Sequence, residues 1–215
     1  MRVVTILRMN PPHFDTVTPV YDALSRLVFG RRLERAQTVW LSQIQAGASV
    51  LVLGGGTGAL LGPLLARQPG RLLFLEASRQ MLARASQRMI REQLTGQVTF
   101  QHGSEQALTP TDQFDVIILP FVLDVFTEST IRERMLPALL RALRPGGILL
   151  ITDFVRTDRR WQRALIQVMI WFFRLTANIE TRRLASWQSL VSETRLNRAG
   201  QCPQVWGMVS AEWWR

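Results

Sequence analysis

Val50-Leu51-Val52-Leu53-Gly54-Gly55-Gly56-Thr57-Gly58, with Glu76 standing eighteen residues beyond the last of these glycines, is the stretch that decides the fold. Four apolar residues rich in Val and Leu predict a strand buried on both faces. The glycines after it let the backbone turn tightly and approach a ligand where a Cβ would collide. Glu76 closes a second apolar run, Arg71 to Leu75, and so places a carboxylate one strand away. In doubly wound sheets an acid there accepts hydrogen bonds from ribose hydroxyls, each worth roughly 1.5 to 3 kcal/mol when the acceptor is charged. The pattern reads as a nucleoside-binding turn. Its spacing serves two cofactor classes: Gly54-x-Gly56-x-x-Ala59 satisfies the dinucleotide fingerprint, and Gly54-x-Gly56-x-Gly58 the form that holds S-adenosylmethionine (SAM).

Outward from the turn, the chain alternates between two periods. Ala59 to Arg67 predicts a short helix, and Ser78 can cap a longer one, Arg79 to Leu94, with Met81, Leu82, Ala85, Met89 and Ile90 on one stripe. Val98 to Gln101 and Phe114 to Leu119 predict strands three and four, and Glu128 to Leu143 a helix. Pro145-Gly146-Gly147 is expected to stop that helix and launch Ile148 to Thr152 as strand five. A helix from Leu184 to Leu196 and a strand from Val205 to Trp213 are expected to close the sheet antiparallel, with Trp206, Trp213 and Trp214 packing on it. The expected fold class is therefore α/β, a doubly wound, Rossmann-like, mostly parallel sheet with helices on both faces. Ligands on such sheets bind beyond the carboxyl ends of the strands, where Gly54 to Gly58, Glu76, Gly103 to Glu105 and Leu119 to Phe121 converge.

Composition narrows the chemistry. The 215 residues suffice for one substantial core, and no linker divides them. The expectation is one domain: a helical lid over 1–46, a cofactor-binding core over 47–154, and an apolar helix, further helix and closing strand over 155–215. No signal peptide or spanning run is evident, so a cytoplasmic location is expected. One cysteine, Cys202, forms no internal disulfide, and with two histidines it leaves too few ligands for structural zinc, so no metal is expected. All 26 basic residues are arginine, which excludes Schiff-base chemistry, a pyridoxal phosphate anchor and a P-loop lysine. The net charge of +10 suits a polyanionic partner, an anionic membrane surface or plain arginine bias.

With these residues in view, the run Val50 to Gly58, Glu76-Ala77-Ser78-Arg79-Gln80-Met81-Leu82, Val98 to Glu105, Phe114-Asp115-Val116-Ile117-Ile118 and Leu143-Arg144-Pro145-Gly146-Gly147-Ile148-Leu149 resembles the class I SAM-dependent methyltransferases. Acid-x-Ser-x-x-Met-Leu and Leu-Arg-Pro-Gly-Gly are not shared by dinucleotide dehydrogenases. Phe14-Asp15, Val20-Tyr21-Asp22-Ala23-Leu24 and Val28-Phe29-Gly30 are similar to the N-terminal lid of the ubiquinone and menaquinone C-methyltransferases. The resemblance implies SAM as cofactor, with Gly54, Gly55, Gly56, Thr57 and Gly58 against its methionine moiety and Glu76 on its ribose. It implies Ala77 and Met81 near the adenine, Ser104 and Glu105 in the adenine-contacting turn after strand three, and Leu119, Pro120 and Phe121 as the wall after strand four. Two positions depart from the family: Val52 stands where an acid is usual, and Ser104 replaces an Asp.

Methyl transfer from a sulfonium is an in-line displacement, so alignment dominates and a base serves only acceptors that need deprotonation. Candidates near the reaction face are His13, Asp15 and Tyr21 on the lid and Asp124 after strand four, which a helix-start acid would explain nearly as well. Asn10-Pro11-Pro12-His13 has the form of an amino-methyltransferase motif but stands ahead of strand one rather than after strand four. Trp161 to Ala177 is apolar nearly all round, as a helix that is buried, dimerised or laid on lipid would be, with Arg156, Arg159, Arg160, Arg163 and Arg174 near it. The expected function is methylation of a small apolar acceptor, with a homodimer or peripheral membrane contact as further expectations. The competing readings are an RNA methyltransferase, which lacks a basic stripe interleaved with aromatics, and a non-catalytic SAM-binding or membrane-surface module.

Overall fold

Alternate residues of each central strand are committed to opposite sides of one sheet, and both sides are dry. Leu51, Leu73, Ile117 and Ile151 pack on one side with Ile131, Leu139 and Trp187, whereas Val50, Val52, Phe74 and Ile118 pack on the other with Ile44, Leu61 and Leu64. Each such side chain contributes about 1.5 to 3 kcal/mol when fully buried, which explains why these strands read as unbroken apolar runs. The computed structural model describes residues 31–177, 181 and 183–215.

The strands are β1 (Ser49–Leu53), β2 (Arg71–Glu76), β3 (Val98–His102), β4 (Phe114–Pro120), β5 (Leu143–Phe154), β6 (Arg198–Gln204) and β7 (Val209–Trp214). They stand in the order β3-β2-β1-β4-β5-β7-β6. The first five are parallel, and β7 runs antiparallel to both β5 and β6. Strand order reverses between β1 and β4, and that switch point opens a crevice beyond their carboxyl ends. The helices are α1 (Arg32–Ala36), α2 (Leu61–Leu65), α3 (Arg79–Arg91), α4 (Glu128–Thr130), α5 (Leu136–Ala142), α6 (Arg160–Ala177) and α7 (Trp187–Ser192). A π-helical turn, Ile131–Met135, joins α4 to α5, so the expected single helix carries a widened turn.

Ser78 caps α3 as expected, its Oγ accepting from Met81 N at 3.2 Å. Met81 and Ala85 are buried, but Ile90 is 76% exposed, because it lies a further 100° round the helix from Met89. The helices expected over Ala59 to Arg67 and Leu184 to Leu196 are each shorter at both ends.

Pro145-Gly146-Gly147 does not separate helix from strand. β5 already begins at Leu143, paired with Phe114, and the three residues bulge from the ladder before pairing resumes at Val116 and Ile148. Gly146 has φ +77°, and a Cβ on Gly147 would lie 2.9 Å from the Asp115 carbonyl oxygen. Asp115 ties the region together: its Oδ1 accepts from Arg144 Nη1 at 2.7 Å and its Oδ2 from Ser49 N at 2.8 Å.

The carboxyl-terminal hairpin also differs from expectation. Val205 and Trp206 have φ of +48° and +57° in a tight turn, so the closing strand starts only at Val209. The unforeseen β6 lacks β-branched residues and depends on pairing with β7; as the edge strand it tolerates Pro203. Trp214 is buried and Trp213 lies against Trp40, but Trp206 is exposed rather than packed on the sheet.

Candidate functional site

The glycine turn answers two different demands. A Cβ on Gly54 would sit 2.5 Å from Val122 Cγ2, one on Gly55 would sit 2.3 Å from the Phe74 ring, and one on Gly58 would sit 2.8 Å from Leu61 Cδ1. Those three glycines are required by the protein's own packing. At Gly56, with φ +57°, a Cβ would meet no protein atom within 4 Å. Only this glycine keeps its bare face toward open space, with Thr57 beside it.

Glu76 is fixed at the same edge. It is buried; its Oε2 accepts from Gly56 N and its Oε1 from Ser78 N, both at 2.9 Å. Burial raises its pKa, and the N–H groups of Ser78, Gly56 and Ala77 draw it partly back. The carboxylate retains lone-pair capacity for an incoming hydroxyl. The Ala77 carbonyl accepts from His102 Nε2 at 2.9 Å, and Met81 closes the turn from α3.

Beyond β3, Ser104 Oγ accepts from Gln106 N at 3.4 Å and caps a short turn. Glu105 is buried, and its Oε1 lies 2.7 Å from Arg134 Nε, which the π-helical turn presents. Glu105, which the resemblance places in the adenine-contacting turn, is thus engaged in an ion pair. Val52 is fully buried in the core, so no side chain at that position reaches a ligand's amine.

In the segment expected to form the wall after β4, Leu119 and Pro120 are buried, Phe121 is half-buried, and Val122 just beyond them lies against Gly54. Phe121 has φ +57°, donates its N–H to Thr152 O at 2.8 Å and sets its ring 5.5 Å from that of Phe154. A non-glycine residue held at positive φ is a strained conformation of the kind that clusters at functional sites.

Asp124 follows directly, in the short turn Leu123–Val125, which is too brief to offer a helix dipole. The residue as a whole is only partly buried, yet its Oδ1 is shielded from solvent and has no hydrogen-bond partner. Desolvation pushes its carboxyl up to about 6. The neighbour it feels is Asp153 at the end of β5, which sequence reasoning missed. Asp153 is fully buried and accepts from Val122 N at 2.9 Å, Leu123 N at 2.7 Å and Phe154 N at 2.7 Å. Burial, reinforced by the charge of Asp124, raises the Asp153 pKa well above its ordinary value. The charges of two such carboxyls oppose each other, so their titrations are linked. An acid at the end of an otherwise apolar strand is the signal that could have flagged Asp153.

His13, Asp15 and Tyr21 lie outside the described residues. Among the described residues no three His, Cys, Asp or Glu side chains cluster as a metal site requires. A cleft of about 650 Å³ near Leu65, Pro69, Leu94 and Gln97 lies at the amino ends of β2 and β3, the edge opposite the glycine turn, and no titratable group lines it.

The geometry fits an adenosyl group: an open backbone face at Gly56 and a fixed, buried acid with free lone pairs for two hydroxyls. Comparison with known proteins agrees. The family described as "Methyltransferase domain" matches residues 50–147. The ubiquinone/menaquinone biosynthesis C-methyltransferase of Pseudomonas putida (strain GB-1) is 27% identical over 190 residues, covering 86% of this chain and 73% of that protein. The protein of the same description from Marinomonas sp. (strain MWYL1) is 30% identical over 150 residues, covering 67% of this chain and 59% of its own length. Among solved structures, the mitomycin 7-O-methyltransferase superposes with a TM-score of 0.70 at 21% identity, covering 94% of this chain and 60% of that one. The magnesium protoporphyrin IX methyltransferase of Synechocystis PCC 6803, solved with bound SAH, gives a TM-score of 0.68 at 16% identity and covers 94% of each chain. The glycine turn, the acid ending β2, the sheet order and these relatives together make the chain a class I SAM-dependent methyltransferase.

Proposed function

We propose that this enzyme methylates a small apolar acceptor, an electron-rich ring of the phenol or quinol kind, with Asp124 as general base. The observation that carries the reading is Asp124 itself: a buried, unpaired carboxylate oxygen in the wall segment that begins at Phe121 and Val122. The relatives whose names specify carbon methylation in ubiquinone and menaquinone biosynthesis support the choice of acceptor class.

SAM, when bound, supplies a methyl group on a sulfonium, electrophilic without further activation. Gly54, Gly56, Thr57 and Gly58 hold it through the backbone, Glu76 accepts from its ribose hydroxyls, and Met81 packs near its base. Phe121, Val122 and Phe154 orient the acceptor ring and exclude water from it. Asp124 takes the proton from a ring hydroxyl, which raises the electron density at the ring carbon that attacks. Burial holds Asp124 at a pKa of about 6, where it is ionised near neutrality yet still basic, and Asp153 is anchored behind it by three N–H groups. His13 and Tyr21 are assigned to the lid over the acceptor. The proposed setting is a single catalytic domain in the cytoplasm.

Radiolabelled methyl transfer to a short-tailed phenol or quinol, set beside transfer RNA and peptide substrates, tests the assignment. Incorporation into the ring compound, abolished in Asp124→Asn and reduced in Tyr21→Phe or His13→Ala, is the expected result. Incorporation into RNA alone would overturn it.

A further inference from the structure

Helix α6 divides its apolar side chains between two surfaces. Ile166 and Ile170 are buried against Leu33, Leu184 and Met208, in a cluster that runs on to Phe154 and Phe121. On the opposite side Trp161, Val168 and Trp171 are 52%, 64% and 63% exposed. With the small, exposed Ala164 between the first two, their spacing makes one continuous stripe. Trp206, 52% exposed, widens it: its ring centroid lies 6.2 Å from that of Trp161, and the Arg32 guanidinium lies 4.5 Å above it. Over residues 160–171 the helix expected to be apolar all round is thus two-faced, and its two outward indoles together with Trp206 are left exposed.

Cations surround the stripe. Arg31 just before α1, Arg32 and Arg35 on it, Arg156 and Arg159 just before α6, and Arg160 and Arg163 on it are all exposed, with Arg156 paired to Glu128. Residues 31–36 and 156–171 hold these seven arginines against two acids, Glu34 and Asp158. Aromatic rings rimmed by arginine match a surface that is apolar below and anionic above. A second copy seated stripe on stripe would bring the same arginines together, and like charge opposes that contact. Among the described residues no helix is long and apolar enough to cross a membrane, so α6 would lie in the plane of the interface.

We infer that this face docks on an anionic lipid surface, with Trp161, Val168, Trp171 and Trp206 at the headgroup boundary and the arginines pairing with lipid phosphates. The buried side of α6 then joins the lipid-facing surface to the Phe121–Phe154 wall, a route for an acceptor dissolved in the bilayer. That last link rests on the proposed acceptor; the docking itself does not.

Co-sedimentation with phosphatidylcholine vesicles, with and without phosphatidylglycerol, tests the inference. The chain is expected to pellet with the anionic vesicles and not with the neutral ones, and less so as salt rises. Trp161→Ser with Trp171→Ser should weaken vesicle binding about tenfold or more, and Arg160→Glu with Arg163→Glu should do the same. Thermal stabilisation by SAM, retained in a variant, shows that it is folded; if the tryptophan pair is not, the arginine pair decides. Absence of binding to anionic vesicles at low salt, or folded variants that bind like the parent, would overturn the docking. So would a dimer in sedimentation velocity that Trp171→Ser dissolves. Methyl transfer to a water-soluble phenol without vesicles reads the acceptor assignment separately, so the two can fail independently.

Discussion

At the scale of single residues, two acids at one sheet edge do opposite work. Glu76 is held by backbone N–H groups, and on the proposed placement of the ribose its remaining lone pairs meet hydroxyls, so removing it deletes one or two charge-assisted bonds. Glu76→Ala should therefore weaken SAM binding roughly 10- to 100-fold in calorimetry with the fold intact, and an unchanged affinity would move the ribose elsewhere. Asp124 instead keeps one oxygen without a partner, and burial outweighs the N–H groups of Asp124 and Val125 that draw its pKa down. Its pKa rises from the ordinary 3.8 to about 6, so the folded state keeps a proton that the unfolded chain has lost. The stability this neutral carboxyl lends is complete below 3.8 and lost as pH rises through about 6. By about pH 8 the buried charge costs up to about 3 kcal/mol. Asp124→Asn should raise the Tm at about pH 8, by roughly 2 to 4 °C for each kcal/mol recovered, and leave it unchanged at about pH 3.5. The same variant should lose the rise in methyl-transfer rate through about pH 6, with kcat down roughly 10² to 10⁴-fold. A Tm difference that is equal at both pH values would show that Asp124 is not held neutral.

At the scale of elements, the turn between β1 and α2 separates packing from binding. Gly55→Ala puts a methyl 2.3 Å from the Phe74 ring, which is fully buried. That overpacking should cost about 1 to 3 kcal/mol and lower the Tm whether or not SAM is present. Gly56→Val meets no protein atom and bears only the strain of φ +57°, roughly 1 to 2 kcal/mol, so it should stay folded. It should nevertheless lose SAM affinity by about 100-fold or more, because the added side chain fills the one open face of the turn. Retained binding in a folded Gly56→Val protein would mean that the ligand does not approach that backbone. The π-helical turn shows the converse, an element whose irregularity was invisible in sequence yet which supplies Arg134 to the buried Glu105.

At the scale of the whole molecule, the proposed placement of SAM where β1, β2 and β4 end makes its binding energy bear on the cooperative unit. Saturation at about 100 times Kd should add roughly 2.7 kcal/mol, a Tm rise of about 5 to 10 °C, with no comparable rise from NAD. A rise with NAD and none with SAM would return the chain to the dinucleotide binders that share its Gly54-x-Gly56-x-x-Ala59 spacing. The parallel sheet, the turn, Ser78 as cap and Glu76 at the edge were legible from the amino acids alone. Each rests on a signal carried within a few neighbouring residues: an unbroken apolar run, a run of glycines, a hydroxyl ahead of a helix. What only the tertiary structure decided are pairings across long separations. Val122 against Gly54, Asp153 behind Asp124, Arg134 on Glu105, and β6 on β7 have no local signature. Nor has the exposure of the outer stripe of α6, since an all-round apolar helix shows which side it hides only once something packs against the other. Local chemistry sets what a segment can become, and burial, which depends on every other segment, sets which of its polar groups are left to act.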